Sequence, residues 1–155
     1  MKKILFTVLA VAAFVFSACS NFEASNNGNL DGFWQLTTVD TLTTGRSADV
    51  SHYMIFWSVQ GGLIELSDRR EPGEMVEINP SIIFRFERKD NMLTLLGEPK
   101  PRLSNRVSGD REVADRMQCG YYGLSNEGDS LNILQLEEQK MVLQSQFFRM
   151  YFRKY

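Results

Sequence analysis

Apolar and polar side chains alternate in short segments along most of the chain after residue 30, a period of two that is typical of β-strands with one buried face. The first such segment covers residues 30–42, where Trp34, Leu36 and Thr38 would share one face of a strand. Gly32 stands at its entry, where a residue without a side chain allows the backbone a close approach. We expect this strand to open the folded domain.

A hairpin follows. Residues 52–60 carry apolar side chains on both faces, with Trp57 on one and Phe56 on the other, which predicts a strand that is covered on both sides. Gly61-Gly62 predicts a tight turn, and residues 63–66 form the returning strand.

The clearest hairpin begins after Pro80. Ile82, Phe84 and Phe86 alternate with polar positions, residues 89–91 predict a turn, and residues 92–96 return along the sheet. This pattern indicates a sheet with one dry face and one wet face.

Polar segments separate these strands, and the end of the chain is strand again. Residues 43–49 and 68–80 predict a break and a loop, because they are rich in charged residues, Gly and Pro. Four further strands are predicted, at residues 117–124, 131–136, 140–144 and 147–155, with turns at 125–129 and 137–139. In the last strand Phe148, Met150 and Phe152 share one face.

The segments together predict an all-β fold of about eight strands, arranged as an antiparallel up-and-down barrel. Eight is the number at which a barrel interior is either filled by side chains or just holds one small ligand. The count alone leaves both outcomes open.

Residues 97–116 interrupt the strand pattern with two prolines and five basic residues among four acidic ones. Two interpretations remain open for this insert: a lid or rim loop whose arginines meet an anionic group of a ligand, or a solvated loop whose charges balance. Residues 111–118 also fit a short helix.

The first 18 residues predict a targeting segment. Lys2 and Lys3 precede an apolar run over residues 4–16, which is shorter than the roughly 20 residues that a membrane-spanning helix needs. Ser17 and Ala18 suit a signal peptidase.

Cys19 follows these small residues directly, and this arrangement resembles the lipobox of bacterial lipoproteins. The resemblance implies that residues 1–18 are a lipoprotein signal peptide, that Cys19 is acylated and that it becomes the mature N-terminus. An ordinary secretory signal cut near Ala18 is the alternative. Residues 19–29, rich in Ser and Asn, predict a flexible tether, and residues 30–155 the folded domain.

The mature chain is mildly acidic. Loss of Lys2 and Lys3 leaves 15 basic side chains against 19 acidic ones, a net charge of −4. Nucleic acid is therefore not expected as a partner, because its binding needs a positive face. With Cys19 acylated, Cys119 and one histidine remain, so we expect no disulfide, no metal site and no cofactor.

Two features resemble the lipocalins. One is Gly32-x-Trp34 at the head of the first strand, and the other is the hairpin over residues 136–155 that closes the chain. The resemblance implies a barrel with a general cavity and transfers no ligand-binding residue. From the aromatic residues of the predicted strands, the candidates for lining a ligand are Trp34, Phe56, Phe84, Phe86 and Tyr121.

No set of residues predicts catalysis. His52 is a single histidine with no motif that pairs it with a nucleophile, and Glu137 and Glu138 would face opposite ways in an extended chain. Cys119 fits a buried and inert thiol.

The sequence therefore predicts a non-enzymatic lipoprotein of the cell envelope, held at the outer membrane through acylated Cys19 and facing the periplasm or the cell surface. Its barrel would bind a small apolar or amphipathic molecule. The alternative is a filled barrel that serves as a structural or interaction module for another envelope protein.

Overall fold

The structure is a computed structural model, and it describes residues 25–70, 81–101, 116–124 and 130–155, with the backbone alone at 98–101 and 116–118. Several predictions fall outside these residues: the signal peptide 1–18, acylated Cys19, the tether as far as residue 24, most of the loops at 68–80 and 97–116, and the turn 125–129.

Strands make up most of the described chain. They are β1 Gly32–Thr41, β2 Arg46–Asp49, β3 Ile55–Gln60, β4 Leu63–Asp68, β5 Ile82–Lys89, β6 Met92–Pro101, β7 Ser130–Leu136, β8 Lys140–Gln144 and β9 Phe148–Lys154. Short 3₁₀ turns at Gly28–Leu30 and Ser51–Tyr53 and one helix, α1 Arg116–Tyr121, complete the described elements. No helix in these described ranges is long and apolar enough to cross a membrane.

Eight of the strands close into an antiparallel barrel. Each strand from β3 to β8 pairs with the strand that follows it, β1 pairs with β3, and β9 returns to pair with β1. The remaining strand, β2, pairs with the second half of β1, beyond the point where the pairing with β3 ends. The predicted eight-stranded antiparallel barrel is thus confirmed.

The core lies inside the barrel and comes from alternate positions of every barrel strand. Trp34 of β1, Trp57 of β3 and Ile64 of β4 are each 0 % exposed. The last strand contributes Met150 and Phe152 on its inner face, as its alternation predicted.

The first strand changes faces part-way along its length. Its register against β9 shifts between Leu36 and Thr38, so Thr37 is an extra residue in a β-bulge. Trp34 and Leu36 point inward before the bulge, and Val39 packs on the core after it. The prediction that Thr38 shares a face with Trp34 is therefore wrong.

Four further features differ from prediction. The expected polar break at 43–49 contains β2, and β3 starts only at Ile55 because Ser51–Tyr53 is a 3₁₀ turn. Strand β6 was predicted to end at residue 96 but continues to Pro101. Its pairing with β5 shifts register between Ile83 and Arg85 of β5. Residues 117–124 are not a strand, because α1 occupies most of that segment.

Candidate functional site: the barrel mouth and the segment that closes it

The two ends of the barrel are closed differently. The end that holds the start of β1 and the end of β9 is called the floor. The opposite end, where β3 begins and β4 ends, is called the mouth. Leu30 covers the floor and is 0 % exposed, and its carbonyl accepts a hydrogen bond from Trp34 Nε1 at 2.8 Å.

Lys154 holds the floor from outside. Its ammonium lies 4.8 Å from the centre of the Trp34 ring and donates to the Asn29 carbonyl at 3.3 Å. Gly32 has φ +140°, and a Cβ at that position would collide with Cε of Lys154. The Gly-x-Trp motif therefore needs glycine both for its backbone conformation and for this close approach.

Residues 25–29 lie within the predicted tether, yet part of this segment contacts the barrel. The side chain of Asn27 donates to the Gly61 carbonyl at 2.6 Å, and Arg88 donates to the Asn27 carbonyl at 3.0 Å. Ordered contacts with the floor therefore begin at least three residues before the predicted boundary at residue 30.

The mouth is covered by the end of α1 and the turn after it, residues 119–124, which we call the mouth plug. Cys119, Tyr122 and Leu124 of the plug belong to the same buried cluster as the strand residues. The turn is compact because Leu124 N–H donates to the Cys119 carbonyl at 3.1 Å and Gly123 has φ +88°.

The plug reaches into the barrel rather than lying across its rim. Nε1 of Trp57 donates to the Tyr122 carbonyl at 3.3 Å. A Cβ on Gly123 would lie 2.6 Å from Sδ of Met150 and 3.8 Å from a methyl of Leu36. The chain thus places its own apolar residues in the interior space near the mouth.

A polar clamp made by Asp68, Arg70 and Tyr121 fastens the plug to the end of β4. Arg70 donates to the two carboxylate oxygens of Asp68 at 3.0 and 2.6 Å, and the Tyr121 hydroxyl donates to the same carboxylate at 3.1 Å. The Asp68 side chain is fully buried, whereas 24 % of the Arg70 side chain is exposed.

Charge and burial act in opposite directions on the clamp. Burial raises the pKa of the Asp68 carboxyl, but hydrogen bonds from Arg70 and Tyr121 outweigh it and hold that pKa below its usual value. Burial also raises the pKa of the Tyr122 hydroxyl, so this ring stays neutral inside the barrel. The plug therefore brings no charge into the core.

Aromatic rings surround the clamp at the rim. The Arg70 guanidinium lies 5.9 Å from the Tyr53 ring centre and 5.7 Å from that of Tyr121, and these two rings meet edge to face at 6.4 Å. The His52 ring lies beside that of Tyr53, with ring centres 4.0 Å apart and the planes tilted by 38°. Tyr53 is 39 % exposed, so this rim is open to solvent on its outer side.

The candidate ligand-lining residues do not form one group. Trp34, Phe84 and Phe86 share the interior core, and Tyr121 is at the mouth in the clamp. These four stay predictions.

Phe56 needs a correction. It is buried, but it lies on the outer face of β3, stacked on Phe33 with ring centres 4.4 Å apart, and Tyr155 covers it edge-on at 5.2 Å. Because neighbouring strand residues face opposite ways, Trp57 takes the interior position and Phe56 cannot.

The sequence interpretation missed the residues that matter most at the mouth. The sequence pattern predicts a strand through Tyr122 and a loop that includes Asp68 and Arg70. A usable signal was present, because Asp68 and Arg70 are two residues apart and so lie on one face of an extended chain.

The residues weighed for catalysis have other surroundings. His52 is exposed at the rim, Cys119 is buried in the plug, and Glu137 accepts a hydrogen bond from the side chain of Gln135 at 2.7 Å in the turn after β7. Within residues 25–70, 81–101, 116–124 and 130–155, no group of three His, Cys, Asp or Glu side chains could hold a metal ion.

Comparisons with known proteins agree on the fold. Two solved structures are similar. A lipocalin-like protein from Bacteroides uniformis ATCC 8492 matches with a TM-score of 0.59 and 19 % identity, over 83 % of this chain and 100 % of that one. An uncharacterised protein from Bacteroides eggerthii DSM 20697 matches with a TM-score of 0.55 and 20 % identity, over 81 % of this chain and 98 % of that one. No curated protein matched the sequence. The family model described as a lipocalin-like domain matches residues 14–155, so the chain belongs to the lipocalin-like domain family.

Proposed function

We propose that this protein is a lipid-anchored lipoprotein of the cell envelope whose barrel binds a small apolar or amphipathic molecule at the mouth, in place of the plug. The fold is in general a non-enzymatic binding fold. The single observation that carries the proposal is that an apolar segment that is not a strand, residues 119–124, fills the mouth side of the interior.

Ligand entry requires the plug to move. Tyr122 and Trp57 are each 0 % exposed, and a side chain with no accessible surface borders no space large enough for water. Withdrawal of Tyr122 and Leu124 would open a space walled by Trp57, Leu36 and Met150, which is apolar with one indole N–H donor. Such a lining suits a molecule with an apolar body and one polar acceptor.

Withdrawal of the plug is not prohibitively costly at the clamp. The ion pair between Asp68 and Arg70 lies within one chain segment and can persist without the plug. The losses on opening include the hydrogen bond from Tyr121 to Asp68, the contact of Arg70 with the Tyr121 ring and the hydrogen bond from Trp57 to the Tyr122 carbonyl. A hydrogen bond to a charged group contributes about 1.5–3 kcal/mol, which the burial of an apolar ligand can offset.

The alternative proposal is a permanently filled barrel that acts as a structural or interaction module for an envelope protein. The complete burial of interior residues such as Trp34, Ile64 and Met141 favours it. The two proposals differ in one property, because only the first requires the plug to leave the interior.

The anchor is a separate part of the proposal. Acylation of Cys19 would hold the domain at the outer membrane, because two or three acyl chains anchor a protein stably and one does not. Metabolic labelling with a fatty-acid analogue should mark the wild-type chain and leave a Cys19→Ala variant unlabelled. Label retained by that variant would contradict anchoring at Cys19.

Native mass spectrometry of protein purified from its own host tests ligand binding directly. Ligand binding predicts a retained small molecule, and a filled module predicts the bare chain mass.

Titration with Nile red, a neutral apolar dye, should show tighter binding to Tyr121→Phe than to the wild type, because that change releases the plug from Asp68. Tyr155→Phe is the matched control, since Tyr155 is 71 % exposed at the floor end. Absence of any retained molecule together with equal dye binding would support the filled module.

A further inference from the structure

A groove of about 620 Å³ lies on the outer wall of the barrel, separate from the interior. It is formed by β1, β2 and β9 and the turn between β1 and β2. The side chains that line it are mostly hydroxylated: Thr38, Asp40, Thr41, Leu42, Ser47 and Tyr151. Its volume is within the range of small-molecule sites, about 300–1,000 Å³.

The β-bulge at Thr37 creates this groove. Without the extra residue, Thr38 and Asp40 would continue the inward face of Trp34 and Leu36; with it, Val39 packs on the core and Asp40 faces out. The bulge is pinned by Thr37, whose hydroxyl donates to the Tyr151 carbonyl at 3.0 Å.

Strand pairing then sets two polar rows across the outer face. Asp40 lies between Ser47 of β2 and Arg149 of β9, and Thr38 lies opposite Tyr151. The Tyr151 hydroxyl donates to Oδ2 of Asp40 at 2.8 Å. Hydrogen bonds from Ser47 and then Tyr151, with the nearby charge of Arg149, lower the pKa of the Asp40 carboxyl, so it remains an ionised acceptor at neutral pH.

The geometry points to a neutral carbohydrate as the ligand of this groove. A carboxylate has about four acceptor positions, so Asp40 can accept further hydrogen bonds from sugar hydroxyls while it keeps those from Ser47 and Tyr151. Thr38, Thr41 and Ser47 offer hydroxyls that both donate and accept. Leu42, which is 38 % exposed, and the Tyr151 ring provide apolar surface for the C–H face of a pyranose.

Charge argues against the other ligand classes. An anion would meet the Asp40 carboxylate. A cation would be repelled by the nearby positive charge of Arg149, which does not line the groove but lies opposite Asp40 on β9 and acts on its carboxylate. The Nε of Arg149 donates to Oε1 of Gln144 at 2.9 Å. The opposed charges of Asp40 and Arg149 therefore favour an uncharged, hydroxyl-rich molecule over either ion.

Isothermal titration calorimetry with the full chain tests the inference, with glucose, maltose, cellobiose, lactose and glucosamine as probes. At least one neutral sugar should bind saturably, and Asp40→Asn should weaken that binding about tenfold, because the charged acceptor of the groove is replaced by a neutral one. Asp49→Asn is the matched control: Asp49 lies on β2 outside the groove, with its carboxylate bonded to Ser51 at 2.6 Å.

Ser47→Ala provides a second variant, since it removes a hydroxyl from an exposed position of a short strand with little risk to folding. It should weaken sugar binding while the circular dichroism spectrum stays that of the wild type. The inference is overturned if no neutral sugar binds saturably, if Asp40→Asn and Asp49→Asn bind it equally well, or if glucosamine binds more tightly than glucose. Displacement of the bound sugar by Nile red would also overturn it, because the dye would then share the site.

Discussion

At the floor of the barrel, Gly32, Trp34 and Lys154 depend on one another for their positions. The Trp34 indole is hydrogen-bonded to Leu30, which covers the floor, and Lys154 lies over the same ring, a position that the missing Cβ of Gly32 leaves open. Cation–π contacts of this kind contribute about 0.5–2 kcal/mol. The motif that suggested the family is therefore explained by contacts among the side chains around it.

Replacement of Gly32 by alanine is expected to lower the free energy of unfolding by about 1–3 kcal/mol, because φ +140° is strained for any residue with a Cβ and because Lys154 must move away from Trp34. Urea denaturation measures the change. Gly62→Ala is the control, since a Cβ there meets nothing within 4 Å. Equal effects at the two glycines would contradict this explanation.

The lowered pKa of Asp68 predicts how the stability of the folded protein depends on pH. Its pKa in the folded protein lies below the ordinary value of 3.8, so its stabilising contribution is complete above pH 3.8 and is lost as the pH falls through the lower, folded-state pKa. Asp68→Asn should therefore reduce stability at pH 7 by about 1–3 kcal/mol and flatten the decline of stability in acid.

Thermal unfolding at a series of pH values between 2 and 7 measures this effect. Asp90→Asn is the control, because Asp90 is exposed in the turn between β5 and β6. An acid decline in Asp68→Asn as steep as that of the wild type would show that another carboxyl is responsible.

At the scale of strands and helices, the accuracy of the sequence predictions depends on how regularly apolar and polar residues alternate in each element. The strands with strict alternation, such as β5 and β9, were predicted closely because one face packs on the core and the other meets solvent. The barrel was predicted from the number of strands and from the resemblance of Gly32-x-Trp34 and the closing hairpin to the lipocalins. The outer position of Phe56 could not be decided, since both faces of β3 carry apolar residues and alternation alone does not say which is inside.

The mouth plug could not be predicted for a different reason. Residues 119–124 contain two tyrosines, a cysteine and two glycines, and this composition suits a strand as well as a turn. Its conformation is set by the barrel that surrounds it, through Trp57 and Met150, which are distant in sequence. The bulge at Thr37 was hidden likewise, because Thr38 and Val39 are each compatible with either face.

The plug as an element carries a prediction about packing. Tyr122→Ala should lower the free energy of unfolding by about 3–5 kcal/mol, because the ring is fully buried and its loss leaves a cavity near the mouth. Saturating Nile red should restore part of that stability, since a ligand that binds only the folded state raises it by mass action.

Differential scanning calorimetry of Tyr122→Ala with and without the dye measures both effects. Phe33→Ala, which removes a ring from the outer aromatic stack on Phe56, is the control and should show no restoration. Restoration of both variants to the same degree would mean that the dye binds elsewhere.

The whole molecule combines two surfaces with different chemistry. The interior is apolar and closed at the floor by Leu30 and at the mouth by the plug, whereas the outer groove around Asp40 is polar and open. Since Val39 and Asp40 face opposite sides of one strand, the two sites are separated by the thickness of the sheet. We therefore expect ligands at one to leave the affinity of the other unchanged.

The central claim is that the plug yields its place to an apolar ligand, and the reactivity of Cys119 tests it most directly. In the Cys19→Ala variant Cys119 is the remaining thiol, and it is 4 % exposed in the closed barrel. Its rate of reaction with a thiol reagent should be low in the free protein and should rise at saturating Nile red, because the displaced plug exposes the sulfur. A rate that stays the same or falls at saturation would contradict displacement of the plug.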